Sequence, residues 1–251
     1  MIVAILQARM SSTRLPGKVL KTILGRPMLE LQIERIQRCK TLDQIVVATS
    51  TEPEDSALVT LCQNMGVAYY TGSLTNVLDR FYQAAKRYRA DHIVRLTGDC
   101  PLIDPVIIDG LVNFYLDQGC DYASNSRPPT LPDGLDGEVF SFHVLESAWK
   151  KADDPFHFEH VIPYILSHPE HFTLANYEYK TNYSALRWTV DHPEDFELVK
   201  SIYETLYNNK PEFGLEDVID LIRKCPALRT MNLQHKRVLK FTNIHSILFG
   251  S

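Results

Sequence analysis

Short apolar runs alternate with amphipathic stretches through the first half of the chain. That alternation narrows the folds open to it more than any other feature. IVAIL, at 2–6, reads as a buried strand, and PMLELQIERIQRC, at 27–39, places Leu29, Ile33 and Ile36 on one helical face. A second strand (44–49), a second helix (54–65) and a short third strand (67–71) follow. Residues 75–88 form a helical pattern with Val77, Phe81, Ala85 and Tyr88 in register, and 91–98 reads as a fourth strand. Asp104 and Pro105 then open another helix, with Asp at the cap and Pro in the first turn. Repeated β-α units predict an α/β fold, a mostly parallel Rossmann-like sheet with helices on both faces.

The second half is less regular. NSRPPTLPDGLDGEVFSF, from Asn125 to Phe142, reads as a long surface loop running into a strand at EVFSF. Helices are predicted near 143–152, 157–168, 193–207 and 214–225, and strands at FTLANYEY (172–179) and LRWTVD (186–191). The tail from His235 to Ser251 receives no element. No repeat, low-complexity tract or linker interrupts the chain, so it reads as one domain over 1–233, with an irregular region at about 126–185 and a C-terminal extension at 234–251.

Composition removes several function classes. The chain has 251 residues, 45% of them hydrophobic, enough for a sizeable core. A net charge of -5 argues against a general nucleic-acid binder. Five scattered cysteines with no CxxC argue for reduced thiols in a cytoplasm rather than a disulfide framework or zinc site. MIVAIL is too short and lacks the basic lead of a signal peptide, and no apolar run suggests a membrane span.

Against that mildly acidic background, the first 29 residues contain no acid but hold Arg9, Arg14, Lys18, Lys21 and Arg26. The cluster follows the first strand, where an open parallel sheet receives ligands. Its cations, its hydroxyls at Ser11 and Ser12, and the Pro16-Gly17 turn are suited to cradling a polyphosphate. It is neither GxxxxGK[ST] nor GxGxxG, and spacing alone equally accommodates a solvated basic loop.

Three further stretches carry candidate chemistry. RLTGDCPLIDP, at 95–105, sets Asp99 after a strand end and a glycine, either as a Mg²⁺ ligand or as a turn residue. LRWTVDHPEDFEL sets Asp191 before a proline-opened helix, either as a second carboxylate on the same metal or as a helix cap. PDGLDGEVF and FEHVIPYI offer Asp133, Asp136, Glu138, Glu159 and His160 to the hydroxyls of an acceptor. The alternatives for these are a solvated loop and a partly buried helical histidine.

Together these motifs resemble the cytidylyltransferases that make CMP-activated acidic sugars, the KDO and acylneuraminate enzymes. QARMSSTRLPGKVL is similar to their RxxSxRLPxK loop, RLTGDCPLIDP to their GDxP segment and VDHPEDFEL to their D-x-PED segment, over roughly 1–210. The likeness is greatest to the spore-coat polysaccharide biosynthesis protein F group, in which PDGLD-E-F and EHV-PYI also occur.

The resemblance implies a GT-A-like nucleotidyltransferase domain, CTP as donor, Mg²⁺ as cofactor, an acidic 2-keto-3-deoxy sugar as acceptor, and a role in surface polysaccharide biosynthesis. It implies a nucleotide site of Gln7, Ala8, Arg9, Ser11, Ser12, Arg14, Gly17, Lys18, Thr97 and Gly98. Arg9, Lys18 and Asp99 would act in catalysis, Asp99 and Asp191 would hold the metal, and a homodimer would form near 130–185. Two positions depart from the pattern. Cys100 stands where KDO enzymes have an acid, and Gly137 stands where an apolar residue such as valine is expected. A GT-A glycosyltransferase or sugar-1-phosphate nucleotidyltransferase would carry a DxD motif or a glycine-richer loop. A non-catalytic nucleotide-binding protein would lack one of the charged pieces.

Overall fold

A computed structural model describes residues 1–237. The tail beyond residue 237, most of the predicted extension, lies outside the described residues.

The chain begins with β1 (Ile2–Gln7), the hairpin β2 (Thr22–Ile23) and β3 (Arg26–Pro27), and helix α1 (Met28–Ile36). Then come β4 (Gln44–Ser50), α2 (Ser56–Met65), β5 (Ala68–Gly72), α3 (Val77–Arg87), β6 (His92–Thr97) and α4 (Pro105–Gln118). The second half adds β7 (Tyr122–Ser124), β8 (Glu138–Ser141), α5 (Phe142–Lys151), α6 (Pro155–His160), α7 (Pro163–Ser167) and β9 (Leu174–Asn176). It finishes with α8 (Pro193–Leu206), α9 (Leu215–Lys224) and α10 (Pro226–Thr230).

One seven-stranded sheet runs β5-β4-β1-β6-β8-β7-β9. β5, β4, β1 and β6 are parallel, β8 is antiparallel to both its neighbours, and β9 pairs parallel with β7. The mostly parallel α/β sheet is therefore as the alternation predicts. β1 shows why its sequence is a continuous apolar run: Val3 and Ile5 enter the core under α3 and α5, while Ala4 and Leu6 enter the opposite core under α1 and α4. Leu29, Ile33 and Ile36 all pack into the second core, and Val77, Phe81 and Ala85 into the first. A third core joins α8 and α9 to Met28, Leu31, Leu131 and Trp188. It fastens the irregular half across the carboxyl ends of the strands.

Four local expectations change. The helix predicted over 157–168 is two, because Val161 adopts φ 68° and Pro163 lacks the N–H to continue the first. LRWTVD makes one isolated bridge, Asp133 to Arg187, rather than a strand. Its backbone is instead pinned to loops, Trp188 and Thr189 donating to the Asp133 carbonyl and Val190 to that of Asp99. The strand at 172–179 shortens to β9, and β7 and the β2-β3 hairpin were not predicted. Asp104 caps α4 as expected, accepting from Val106 N at 2.8 Å, and also accepts from Leu215 N at the start of α9. No helix among the described residues is long and apolar enough to cross a membrane.

Candidate active site

The basic loop leaves β1 and folds back beneath the ends of β1 and β6. Two glycines make that possible. Gly17 takes φ 67°, donates to the Met10 carbonyl at 3.0 Å, and starts the single turn that carries Lys18. Gly98 lies so close to β1 that a Cβ would fall 2.9 Å from the Ala8 methyl and 3.1 Å from the Gln7 carbonyl. The loop is further fixed by buried Asp55, which accepts from Met10 N at 2.7 Å and from the Ser50 amide and hydroxyl.

Lys18 is the centre of the site. Its Nζ donates to the Val190 carbonyl at 2.7 Å, to Asp191 at 2.9 Å and to Asp99 at 3.1 Å. Two carboxylates 92 residues apart in sequence thus converge on one ammonium. Burial opposes the charge on Lys18, yet Asp99 and Asp191 outweigh it and raise its pKa. Burial likewise pushes both carboxyls up, but Lys18 in each case, with Arg187 and Arg14 at Asp191, holds them below the usual carboxylate range. Arg14 reaches Asp191 at 2.9 Å from a half-exposed position. Asp191 is not the helix cap. Asp195, one turn on, accepts from the amides of Asp191 and His192, which frees Asp191 to face the pocket.

Two polar cavities meet at this cluster. One, of about 240 Å³, is lined by Gln7, Ala8, Arg9, Ser12, Arg14, Lys18, Thr97, Gly98, Asp99 and Asp191. Ser11 and Gly17 line neither cavity: Ser11 is exposed and Gly17 shapes the turn. The other, of about 410 Å³, is lined by Asp133, Asp136, Glu138, Arg95, Arg127, Arg187 and Arg237 among others. Asp99, Asp191, Arg14, Arg95, Thr97 and His160 border both. Glu159 faces the smaller cavity rather than the larger one, and His160 packs edge-on against Phe156.

In the larger cavity the acids are paired. Arg187 bridges Asp133 at 2.8 Å, Asp191 at 2.9 Å and fully buried Asp195 at 3.1 Å. Glu138 is buried, accepting from Tyr122 Oη, Arg95 and Arg127, and these partners hold its carboxyl below the usual range against the pull of burial. Asp136 takes both oxygens to Arg237 at 2.7 Å. The chain reaches this wall by bracing itself on the way: Asn232 donates to the Arg187 carbonyl and to Asp195, and the His235 ring stacks on His192 at 3.8 Å.

Sequence reasoning missed Arg80, Arg95, Arg127, Arg187 and Arg237. Arg80, Arg95 and Arg187 carried a signal: each is a cation set within an apolar pattern, on the buried face of α3, inside HIVRLT and inside ALRWTV. Arg80 is buried, its pKa pushed down to about 10 by burial and the neighbouring Arg9. Cys100 is also buried, contacting Thr97, Asp99 and Thr189, and burial pushes its thiol well up. An ionised acid there would be a third negative charge beside Asp99.

Comparison with known proteins follows the same lines. The cytidylyltransferase family model matches residues 3–217. An uncharacterized protein of Methanocaldococcus jannaschii, MJ1063, is 46% identical over 171 residues, 68% of this chain and 69% of that one. The spore coat polysaccharide biosynthesis protein SpsF of Bacillus subtilis is 33% identical over 237 residues, 91% of this chain and 97% of that one. A solved cytidylyltransferase from Leptospira borgpetersenii superposes with a TM-score of 0.87 at 34% identity, covering 94% of this chain and 98% of that one. A parallel sheet ending in a phosphate-suited basic loop, with that loop's lysine held by two carboxylates, accords with these likenesses: the chain belongs to the cytidylyltransferase family and is a nucleotidyltransferase.

Proposed function

We propose that this enzyme transfers CMP from CTP to a hydroxyl of an acidic, 2-keto-3-deoxy type sugar. The single observation that carries the reading is the meeting of two polar cavities at Asp99, Asp191 and Arg14, with Lys18 of the smaller cavity bonded to both carboxylates. The smaller cavity, rich in cations from the basic loop, suits the triphosphate. The larger suits a polyhydroxylated anion, since it combines arginines with carboxylates that can accept from hydroxyls. The name of the Bacillus relative, which concerns spore coat polysaccharide, supports a sugar acceptor.

In the reaction the acceptor oxygen forms a bond to the α-phosphorus, and the bond from that phosphorus to the bridging β-oxygen breaks. Pyrophosphate leaves, and the hydroxyl proton passes to water in the solvent-open cavity. Such a transfer needs positioning and charge neutralisation more than covalent help from the protein. Arg9, Arg14 and Lys18 supply fixed positive charge along the phosphates. Where the two cavities meet, the acceptor oxygen would approach the α-phosphorus on the side opposite the leaving group.

The donor set at the junction suits Mg²⁺. No cluster of three metal-ligating side chains exists among the described residues. Mg²⁺, however, is commonly held by one or two carboxylates plus substrate phosphates and water. Asp99 and Asp191, both hard ionised oxygen donors aimed at one point, would hold it, and the ion would supply further neutralisation of phosphate charge. With a nucleotide bound, Lys18 would turn from these carboxylates toward a phosphate.

The test is pyrophosphate release from each of the four NTPs with Mg²⁺ across a panel of 2-keto-3-deoxy sugar acids. CTP-selective, acceptor-dependent release that disappears in Asp99→Ala is expected. Release that proceeds equally without any acceptor, or equally with all four NTPs, would refute the reading.

A further inference from the structure

Three residues lining the smaller cavity carry a buried polar atom with no hydrogen-bond partner among the described residues: Gln7, Arg80 and Arg95. Arg95 is already ion-paired with Glu138 through Nη1 on the side of the larger cavity, whereas among the described residues Arg80 and Gln7 have no charged hydrogen-bond partner. Arg80 is 2% exposed. Its Nη1 donates to the Ser73 carbonyl at 2.7 Å, but its Nε meets no acceptor. Gln7 Oε1 is likewise buried and meets no donor. Both residues line the cavity, and Val19 and Val77 give it apolar surface beside them. Buried groups left unmatched cost stability, and a ligand carrying the complementary atoms recovers that cost.

Their place in the fold says which part of a nucleotide would meet them. Along the edge formed by the carboxyl ends of β5, β4, β1 and β6, in that order, the amino end of antiparallel β8 comes next. Arg80 is anchored at Ser73, the residue after β5. Gln7 ends β1 and, by alternation with Val3 and Ile5, points to the face covered by α3. Asp99 follows β6, and the larger cavity lies beyond it toward β8. A nucleotide whose phosphates lie on the basic loop, with the reacting end at Asp99, therefore directs its base back toward β4 and β5. That is where Arg80 and Gln7 are. A phosphate there would meet the Gln7 carbonyl oxygen as a repulsive neighbour, whereas a base carries both donors and acceptors.

We propose that Arg80 and Gln7 read the base and select cytosine over uracil. Cytosine sets two acceptors side by side, O2 and N3, next to an amino donor on C4. A guanidinium with unmatched donors suits the acceptor pair, and Gln7 Oε1 suits the amino group. Uracil carries N3–H and O4 instead, so a donor meets the Arg80 donors. The Gln7 amide can turn to offer its NH₂ to O4, which leaves N3 against Arg80 as the discriminating contact. The proposal rests on CTP being the donor, but not on the identity of the acceptor.

The test is calorimetric titration of CTP and UTP, with Mg²⁺ and without acceptor, into wild type, Arg80→Lys, Gln7→Leu and Gln7→Glu. The readout is the ratio of the two dissociation constants, which a general loss of charge or fold does not move. Wild type is expected to favour CTP by on the order of 10- to 100-fold, the scale set by one or two matched polar contacts. Arg80→Lys, which keeps the charge, is expected to lose most of that preference. Gln7→Leu is expected to lose part of it, and Gln7→Glu, an obligate acceptor, to retain it. Should Arg80→Lys melt well below wild type, the two Gln7 variants decide alone. CTP and UTP affinities that fall in parallel, leaving the ratio unchanged, would overturn the assignment, as would a wild type without preference. Absence of CTP binding altogether would count against CTP as donor. Selective CTP binding without turnover on any acceptor would count only against the acceptor.

Discussion

The two cavities that share Asp99 and Asp191 are built in opposite ways. The smaller rests on regular β-α units, and most of its cations come from one short loop free of acids. The larger takes Arg14 from the basic loop but is otherwise assembled from segments spread from Arg95 to Arg237, and the charges on its walls are mostly paired with one another. In the smaller cavity Arg9, Arg14, Lys18, Arg80 and Arg95 outnumber the acids they meet, and that surplus of positive charge suits a ligand that brings its own negative charge, such as a triphosphate. Paired charges hold irregular backbone in shape and offer their remaining hydrogen-bonding sites to a ligand of mixed polarity. Lys18 belongs to both designs, since it comes from the basic loop but is held by the carboxylates.

Removing Lys18 tests the junction and should have the largest effect. Lys18→Ala takes one charge-stabilising donor from the reaction, and kcat should fall by about 10²–10³-fold in a pyrophosphate-release assay. A loss of less than tenfold would mean the ammonium serves structure alone. Arg187→Met tests the paired design. It strands Asp195, which is fully buried, beside Asp133 and Asp191, and urea unfolding should show a loss of about 3–5 kcal/mol. If stability holds, the ion pairs of the larger cavity do not maintain its shape.

Gly137→Val probes a glycine packed against α4. A Cβ there would lie 3.0 Å from Leu111 Cδ2 and 3.1 Å from Ile108 Cδ1. The valine should therefore cost about 1–3 kcal/mol by overpacking, read as a lower Tm. An unchanged Tm would show that α4 can shift to accept it. Arg237→Gln sharpens the division between cavities. Acceptor KM should rise about tenfold, roughly one hydrogen-bonded charge, while KM for CTP stays put. Equal rises in both would dissolve the distinction.

The smallest effect expected is in acid. Asp99 and Asp191 have lowered pKa values in the folded protein, so their contribution to stability is present above the unfolded carboxylate value of about 4. It is lost as pH falls through the folded values. Asp191→Asn should flatten the acid limb of a stability-pH curve below pH 4 and, since Asp191 also helps raise the Lys18 pKa, move the alkaline loss of stability to lower pH. A variant curve parallel to wild type throughout would remove Asp191 from that linkage.

How much the sequence discloses follows the same division. β1, α1, β4 and α3 are legible because one rule of burial governs each residue: both faces of β1 are covered, and α3 presents a single apolar stripe. The basic loop is legible because like charges stand close together in sequence. LRWTVD misleads because its alternation is satisfied by contacts with loops rather than with a strand. Arg95 and Arg237 are hard to foresee because they meet their partners across long separations, 43 residues to Glu138 and 101 to Asp136, and Arg187 likewise joins nearby Asp191 and Asp195 to Asp133, 54 residues away. The glycine at 137 becomes intelligible only once α4 is seen to press on it.

The most direct measurement of the two-cavity arrangement is CTP affinity by calorimetry, with Mg²⁺ and without acceptor, on wild type, Lys18→Ala and Arg237→Gln. Arg237→Gln should bind CTP as wild type does, while Lys18→Ala binds it at least tenfold more weakly. Equal weakening in both variants, or in neither, would contradict a nucleotide site on the β-α half joined at Lys18 to a separate acceptor site.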